Sequence, residues 1–230
     1  LPFLAPRLPF DVPVPVPLHR GKPGSGYPYH WAIVPWLPGL SAARVPALIR
    51  DGYAGELAAF MQAMHVPAPA EVPRKPVRGV SLRERNRTMR TRLETLEPAE
   101  RAALTAMWER GLSEAEYDGP RLWLHGDPHP HNLLMKGSAD TTTAELSAVI
   151  DFGNLTAGDP ASDVGFAWLH FTESGRKVFF EQLCGHRLYP PGTWNRARAW
   201  AVGHAVLMAR LPPVDPLHAA GVHGIGQLLA

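Results

Sequence analysis

The sequence predicts an α+β fold: a short β-rich start, then a larger, mostly helical body broken mid-chain by three short strands. Three observations predict it. Up to residue 36, valines, aromatics and prolines follow one another in the manner of extended chain. Apolar residues recur at helical spacing between about 51 and 110 and again between 163 and 210. Between those stretches, 121–124, 132–136 and 146–150 are short apolar runs around the most polar segment of the chain.

In the first segment Val12, Val14 and Val16 alternate with Pro13, Pro15 and Pro17. Proline cannot donate to a strand ladder, so this is an edge strand or an extended connector. Residues 21–26 read as a turn and 27–36 as the returning strand of a hairpin, ended by Pro38-Gly39. Leu48, Leu57, Phe60, Met61 and Met64 form a helical stripe starting near Asp51, followed by a proline-rich loop over 66–76. Ser81 with Glu84 three residues later is a capping-box pattern opening a helix to about 96. Pro98 suits the first turn of the next helix, with Gly111 at its end. After the three strands, with a turn at 137–141, helices are expected over 163–171, 177–184 and 194–210, then a tail ending in a short apolar run. Tryptophans 31, 36, 168, 194 and 200 are expected mostly in the core.

Composition bounds the function. The chain has 230 residues, 45% hydrophobic and 19% charged, ample for a core. A formal charge of +2 gives no footprint for a nucleic-acid partner. No apolar run reaches the length of a membrane span, and the start lacks a signal-peptide pattern. Cys184 is the one cysteine, which excludes an internal disulfide and suits a reducing, cytoplasmic setting.

The chemistry is concentrated in His125-Gly126-Asp127-Pro128-His129-Pro130-His131-Asn132, with Ile150-Asp151-Phe152-Gly153 and Gly158-Asp159-Pro160-Ala161-Ser162-Asp163 following. Phosphoryl transfer from ATP needs a carboxylate to orient the acceptor hydroxyl and take its proton, and Mg2+ held by a carboxylate and an amide oxygen. Kinases place the base and the amide five positions apart on one loop. Asn132 lies five residues after Asp127, and Asp151 follows a strand and precedes a glycine. Asp127 is thus the candidate catalytic residue, and Asn132 and Asp151 the candidate metal ligands. Asp159 reads as a turn starter before proline, and Asp163 as a possible helix cap. A zinc site built from His125, His129, His131 and Asp127 is the competing reading, but no further histidine cluster completes it.

The segment from Trp123 to Leu134, with H-G-D where protein kinases have H-R-D, resembles the catalytic loop of the aminoglycoside phosphotransferase family. Val149-Ile-Asp-Phe-Gly resembles that family's metal-binding strand end, and Gly158-Asp-Pro-Ala-Ser-Asp its G-D-P-x-x-D stretch. The resemblance covers most of residues 10–210. It implies a protein-kinase-like fold, with 1–38 a remnant of the nucleotide lobe and hinge, and 39–230 a helical lobe carrying the catalytic loop. It implies that Pro35, Trp36 and Leu37 face the adenine, that His125 braces the loop, and that Asp163 holds the loop backbone from beneath. It also implies an ATP-dependent transfer to a hydroxyl of a small, aminoglycoside-like molecule.

One departure stands out. Lys22 is the only lysine before residue 35, no glutamate precedes Glu56, and no glycine-rich loop is present. The resemblance therefore implies an N-terminally truncated chain. A non-catalytic homologue that binds a ligand or partner without turnover is the alternative.

Overall fold

The computed structural model describes residues 1–9, 11–138 and 142–230. The strands are β1 (His19–Gly21), β2 (Trp31–Ile33), β3 (Leu40–Ser41), β4 (Leu122–Leu124), β5 (Leu133–Met135), β6 (Leu146–Val149) and β7 (Thr156–Gly158). The helices are α1 (Ala47–Arg50), α2 (Ala54–Met64), α3 (Leu82–Leu93), α4 (Pro98–Ser113), α5 (Ala161–Val164), α6 (Ala167–His170), α7 (Glu173–Leu183), α8 (Gly192–Ala209) and α9 (Pro216–Leu229).

All pairing is antiparallel and in small sheets: β1 with β2, β3–β5–β6, and β4 with β7. The proline-rich start does not form a ladder strand. It runs extended beside β6, where the Val149 N–H donates to the Pro13 carbonyl at 3.2 Å, the one backbone group proline still offers. Val12 and Val14 turn into the same core as the helices. The hairpin forms, but its returning strand is three residues long, and Trp31 and Trp36 lie exposed rather than buried, Trp36 at 93%. Trp168 and Trp200 are buried as the apolar pattern implies.

The helical body follows its local signals. Ser81 and Glu84 close a reciprocal capping box at the start of α3. Pro98 occupies the first turn of α4. The stripe of α2 is buried at Leu57, Phe60, Met61 and Met64, each worth about 1.5–3 kcal/mol of transfer free energy. Leu48 belongs to the separate helix α1 and is exposed, so the stripe begins later than the spacing suggested. Gly111 lies inside α4 instead of ending it. A Cβ there would meet the Ala199 Cβ at 2.4 Å, so its missing side chain lets α4 close on α8.

Two further differences have physical causes. The helix expected over 163–171 is split into α5 and α6 at Gly165-Phe166. The tail is a full helix, α9, capped by Asp215, whose side chain accepts from the Leu217 N–H, with Pro216 next. Of the turn expected at 137–141, Ala139, Asp140 and Thr141 lie outside the described residues. No helix among the described residues is long and apolar enough to cross a membrane.

Candidate active site

β4 and β5 each belong to a different small sheet, and the loop between them carries residues 125–132. Each end of the loop is therefore fixed by its own strand pairing. Gly126 makes the bend at φ +83°, and a Cβ there would sit 2.4 Å from the Asn154 carbonyl. A short 3-10 turn, Pro130–Asn132, returns the chain into β5.

Buried polar side chains hold the loop backbone from below. Asp163, within α5, accepts from the His125 N–H at 2.7 Å and the Gly126 N–H at 3.0 Å, and its Oδ2 lies 3.4 Å from His65 Nε2. Burial alone would raise this carboxyl, but the hydrogen bond and charge of His65, the charge of His125 and the Gly126 N–H together hold it below the ordinary aspartate value. His125 Nε2 donates to the Ile150 carbonyl at 2.9 Å, which leaves Nδ1 to accept from the Asp127 N–H at 3.2 Å. His170 Nε2 donates to the Pro128 carbonyl at 2.7 Å, and the Tyr53 hydroxyl supplies the proton to its Nδ1 at 2.8 Å. His204 holds the Ser162 carbonyl at 3.1 Å.

Burial pushes His170 and His204 down to about 3, so both are neutral in the folded protein. In the unfolded chain they protonate near the ordinary 6.5. Their folded values are depressed, so the unfolded state binds more protons below pH 6.5 and stability falls as pH drops from there towards 3. At pH 5.5 the pair should remove about 3 kcal/mol relative to neutral pH. Denaturant unfolding at pH 7.5 and 5.5 checks this. Equal free energies at the two pH values would show that neither ring is held neutral.

Asp127 itself is partly exposed, and each of its oxygens has a partner. Oδ1 takes Arg78 Nη2 at 3.1 Å, Oδ2 takes Asn154 Nδ2 at 3.1 Å, and His129 Nε2 stands 4.0 Å from Oδ2. Asn132 donates its Nδ2 to the Asp127 main-chain carbonyl at 2.9 Å, and the Asn132 main-chain carbonyl accepts from the Ile150 N–H at 2.9 Å. Asp151 follows directly, exposed, in the left-handed region at φ 60°, with Oδ1 accepting from the Gly153 N–H at 3.2 Å. Burial lowers the proton affinity of the His125 ring against the opposing pull of Asp163, the Ile150 carbonyl, Asp127 and Asp151, and the ring packs with its centroid 4.6 Å from that of Phe152.

This donor set suits a hard cation. With Nδ2 committed to the loop, the amide oxygen of Asn132 is the atom left to coordinate, and the Asp151 carboxylate is open to solvent. The histidines are placed differently. His125 and His131 each point a ring nitrogen at a backbone carbonyl, that of Ile150 and that of Pro216. Among the described residues no group of three or more His, Cys, Asp or Glu could hold a metal ion. Asp159 accepts from the Ala161 N–H and pairs at 2.7 Å with buried Arg196 of α8, a structural tie. Pro35, Trp36 and Leu37 form the extended link from β2 to β3.

Sequence reasoning missed Arg78, Asn154 and Lys75, whose Nζ lies 3.3 Å from the Gly153 carbonyl. Only Asn154 left a signal, a second amide just past Asp151-Phe152-Gly153.

The sequence model of the phosphotransferase enzyme family matches residues 1–200. The chain belongs to that family, and its fold is the kinase-like α+β fold of aminoglycoside and macrolide phosphotransferases. The GDP complex of wild-type aminoglycoside 2'-phosphotransferase-IIIa superposes with a TM-score of 0.65 at 18% identity, over 99% of this chain and 78% of that one. A thermostable mutant of aminoglycoside phosphotransferase APH(4)-Ia in ternary complex with ADP and hygromycin B gives 0.56 at 14% identity, over 99% and 80%. Macrolide 2'-phosphotransferase MphH from Brachybacterium faecium gives 0.54 at 19% identity, over 98% and 77%. No curated protein matches the sequence.

Proposed function

We propose that this protein is an ATP-dependent phosphotransferase acting on a hydroxyl of a small molecule. The observation that carries the reading is the Asp127 loop: a partly exposed carboxylate on a backbone pinned by buried Asp163, His125 and His170, with Asn132 and Asp151 on the adjoining strand ends. The acceptor oxygen attacks the γ-phosphorus of ATP, the bond to the β–γ bridging oxygen breaks, ADP leaves, and Asp127 takes the hydroxyl proton. Asn154 and Arg78 fix the direction of the Asp127 carboxylate. Asn132 and Asp151 would hold Mg2+, which supplies positive charge to the phosphate oxygens.

In this reading residues 1–38 belong to the nucleotide lobe and hinge, with the Pro35, Trp36 and Leu37 backbone turned to the adenine, and residues 39–230 form the catalytic lobe. ATP would be drawn from the cytoplasm. Neighbours of this fold are seen in complex with kanamycin and hygromycin B, so an aminoglycoside-like molecule is one hydroxyl-bearing acceptor to assay, beside acceptors of other charge. The ion pair from Arg78 onto Asp127 favours a second reading, ligand binding without turnover, because it occupies the proton acceptor.

The test is ADP release from Mg-ATP across a panel of hydroxyl acceptors, with and without EDTA. Release should require the metal, and Asp151→Ala should lower it by about 100-fold or more, as for loss of a transition-state charge contact. Release that survives both EDTA and Asp151→Ala would refute the assignment. No release with any acceptor, alongside ligand-induced stabilisation, would establish the second reading.

A further inference from the structure

We propose that the acceptor is a small anion, a molecule carrying a carboxylate or phosphate beside its hydroxyl, bound in an arginine-lined cavity that adjoins Asp127. The inference rests on the phosphotransferase reading and names its substrate class. The cavity, about 220 Å³, is walled by α3, α4, α8 and the loop before α3; among the described residues no Asp or Glu lines it. Arg78, Arg85 and Arg92 supply the charge, and Trp108, Trp200 and His204 the remaining faces that matter here.

Arg85 and Arg92 are seven residues apart on α3, hence on one face two turns apart. On the same helix Arg83 pairs with Glu116 at 3.2 Å and Arg90 with Glu109 at 2.5 Å. Among the described residues neither Arg85 nor Arg92 has a carboxylate within ion-pair distance, although both are half-buried. Burial and the positive charge of neighbouring arginines both lower their proton affinity, so each is held against repulsion. His204, held neutral by a pKa lowered to about 3, adds no further positive charge.

Two buried donors meet no acceptor. Among the described residues Arg78 Nε and Trp200 Nε1 have no hydrogen-bond partner, and Trp200 is only 4% exposed. Unpaired buried N–H groups are unfavourable, and gathered with three cations they offer what a multi-oxygen anion accepts. Arg78 connects the cavity to the chemistry: its Nη2 binds Asp127 Oδ1 at 3.1 Å. An anionic group held by Arg78, Arg85 and Arg92 would carry its attached hydroxyl to the Asp127 side. A polycationic aminoglycoside would meet the unpaired charges of Arg85 and Arg92 there, Arg78 being paired with Asp127, in a space below the range of about 300–1,000 Å³ usual for drug-sized ligands. The nucleotide's own phosphates are the other source of this chemistry, and the experiment separates the two.

Citrate, 3-phosphoglycerate and kanamycin are titrated into the wild-type chain and into Arg85→Gln/Arg92→Gln at matched ionic strength, read by calorimetry and tryptophan fluorescence; Mg-ADP is titrated separately. The two anions should bind wild type and lose at least tenfold in affinity in the double variant. Kanamycin should not bind the cavity, and Mg-ADP affinity should change less than twofold. The single variant Arg85→Gln, expected to show a smaller loss, repeats the test should the double variant not fold. Anion binding no stronger than the ionic-strength control, anion binding unchanged in the variants, or Mg-ADP affinity falling in step with them would each overturn the proposal; the last would make the cavity a nucleotide-phosphate site. Because binding is read without turnover, failure here leaves metal-dependent ADP release untouched, whereas failure of the phosphotransferase reading leaves anion binding in place.

Discussion

Asp127→Asn is expected to lower the turnover number for phosphoryl transfer by about 10³-fold, inside the span of about 10²–10⁴ usual for a general base. The amide keeps the size and one acceptor oxygen but cannot take the acceptor's proton. Its new NH2 must face either Arg78 or Asn154, both donors to the present carboxylate, so the side chain also loses its fixed direction. The residue is partly open to solvent and its loop is held by backbone contacts, so the melting temperature should move little. Steady-state kinetics with the best acceptor, beside a thermal melt, is the measurement. A turnover number within tenfold of wild type would remove Asp127 from the chemistry.

Asp163→Ala should be the most destabilising substitution in the site. The carboxylate is buried and accepts from the His125 and Gly126 N–H groups while facing His65. Alanine leaves two buried amides unpaired at about 1–3 kcal/mol each. Losing the charge-assisted contact with His65 adds to that, for a total of about 4–6 kcal/mol, close to the whole stability of many domains. Because its folded pKa is depressed, the carboxylate contributes fully above the ordinary aspartate value, and the contribution is lost as pH falls through the lower folded value. The gap between wild type and variant should therefore be widest near neutral pH and narrow in acid. Urea titrations at neutral and acidic pH report it. A loss under about 1 kcal/mol at neutral pH would mean the loop is held by other contacts.

What the sequence disclosed and what it hid divide by distance along the chain. The Ser81–Glu84 cap and the five-residue interval from Asp127 to Asn132 are local patterns, and they locate a helix start and the candidate loop. Arg78 meets Asp127 across 49 residues, His65 meets Asp163 across 98, and Tyr53 meets His170 across 117. No periodicity or spacing rule links residues so far apart. α9 was missed for another reason. Its start carries the Asp215-Pro216 signal, but glycines at 221, 224 and 226 depress the intrinsic helix tendency, and packing against α8 and α6 offsets it. Trp36 erred the other way: its size suggested the core, and the extended link leaves it in solvent.

The left-handed backbone of Asp151 separates ease of folding from usefulness. At φ 60° glycine would be at rest, while an aspartate, though better suited to this region than most side chains, costs about 1 kcal/mol. The replacement the main chain would welcome is the one that strips away the carboxylate. With Asp151 holding the metal as proposed, improving robustness at that position would yield a sturdier but idle molecule, and a stability screen blind to activity would select for it.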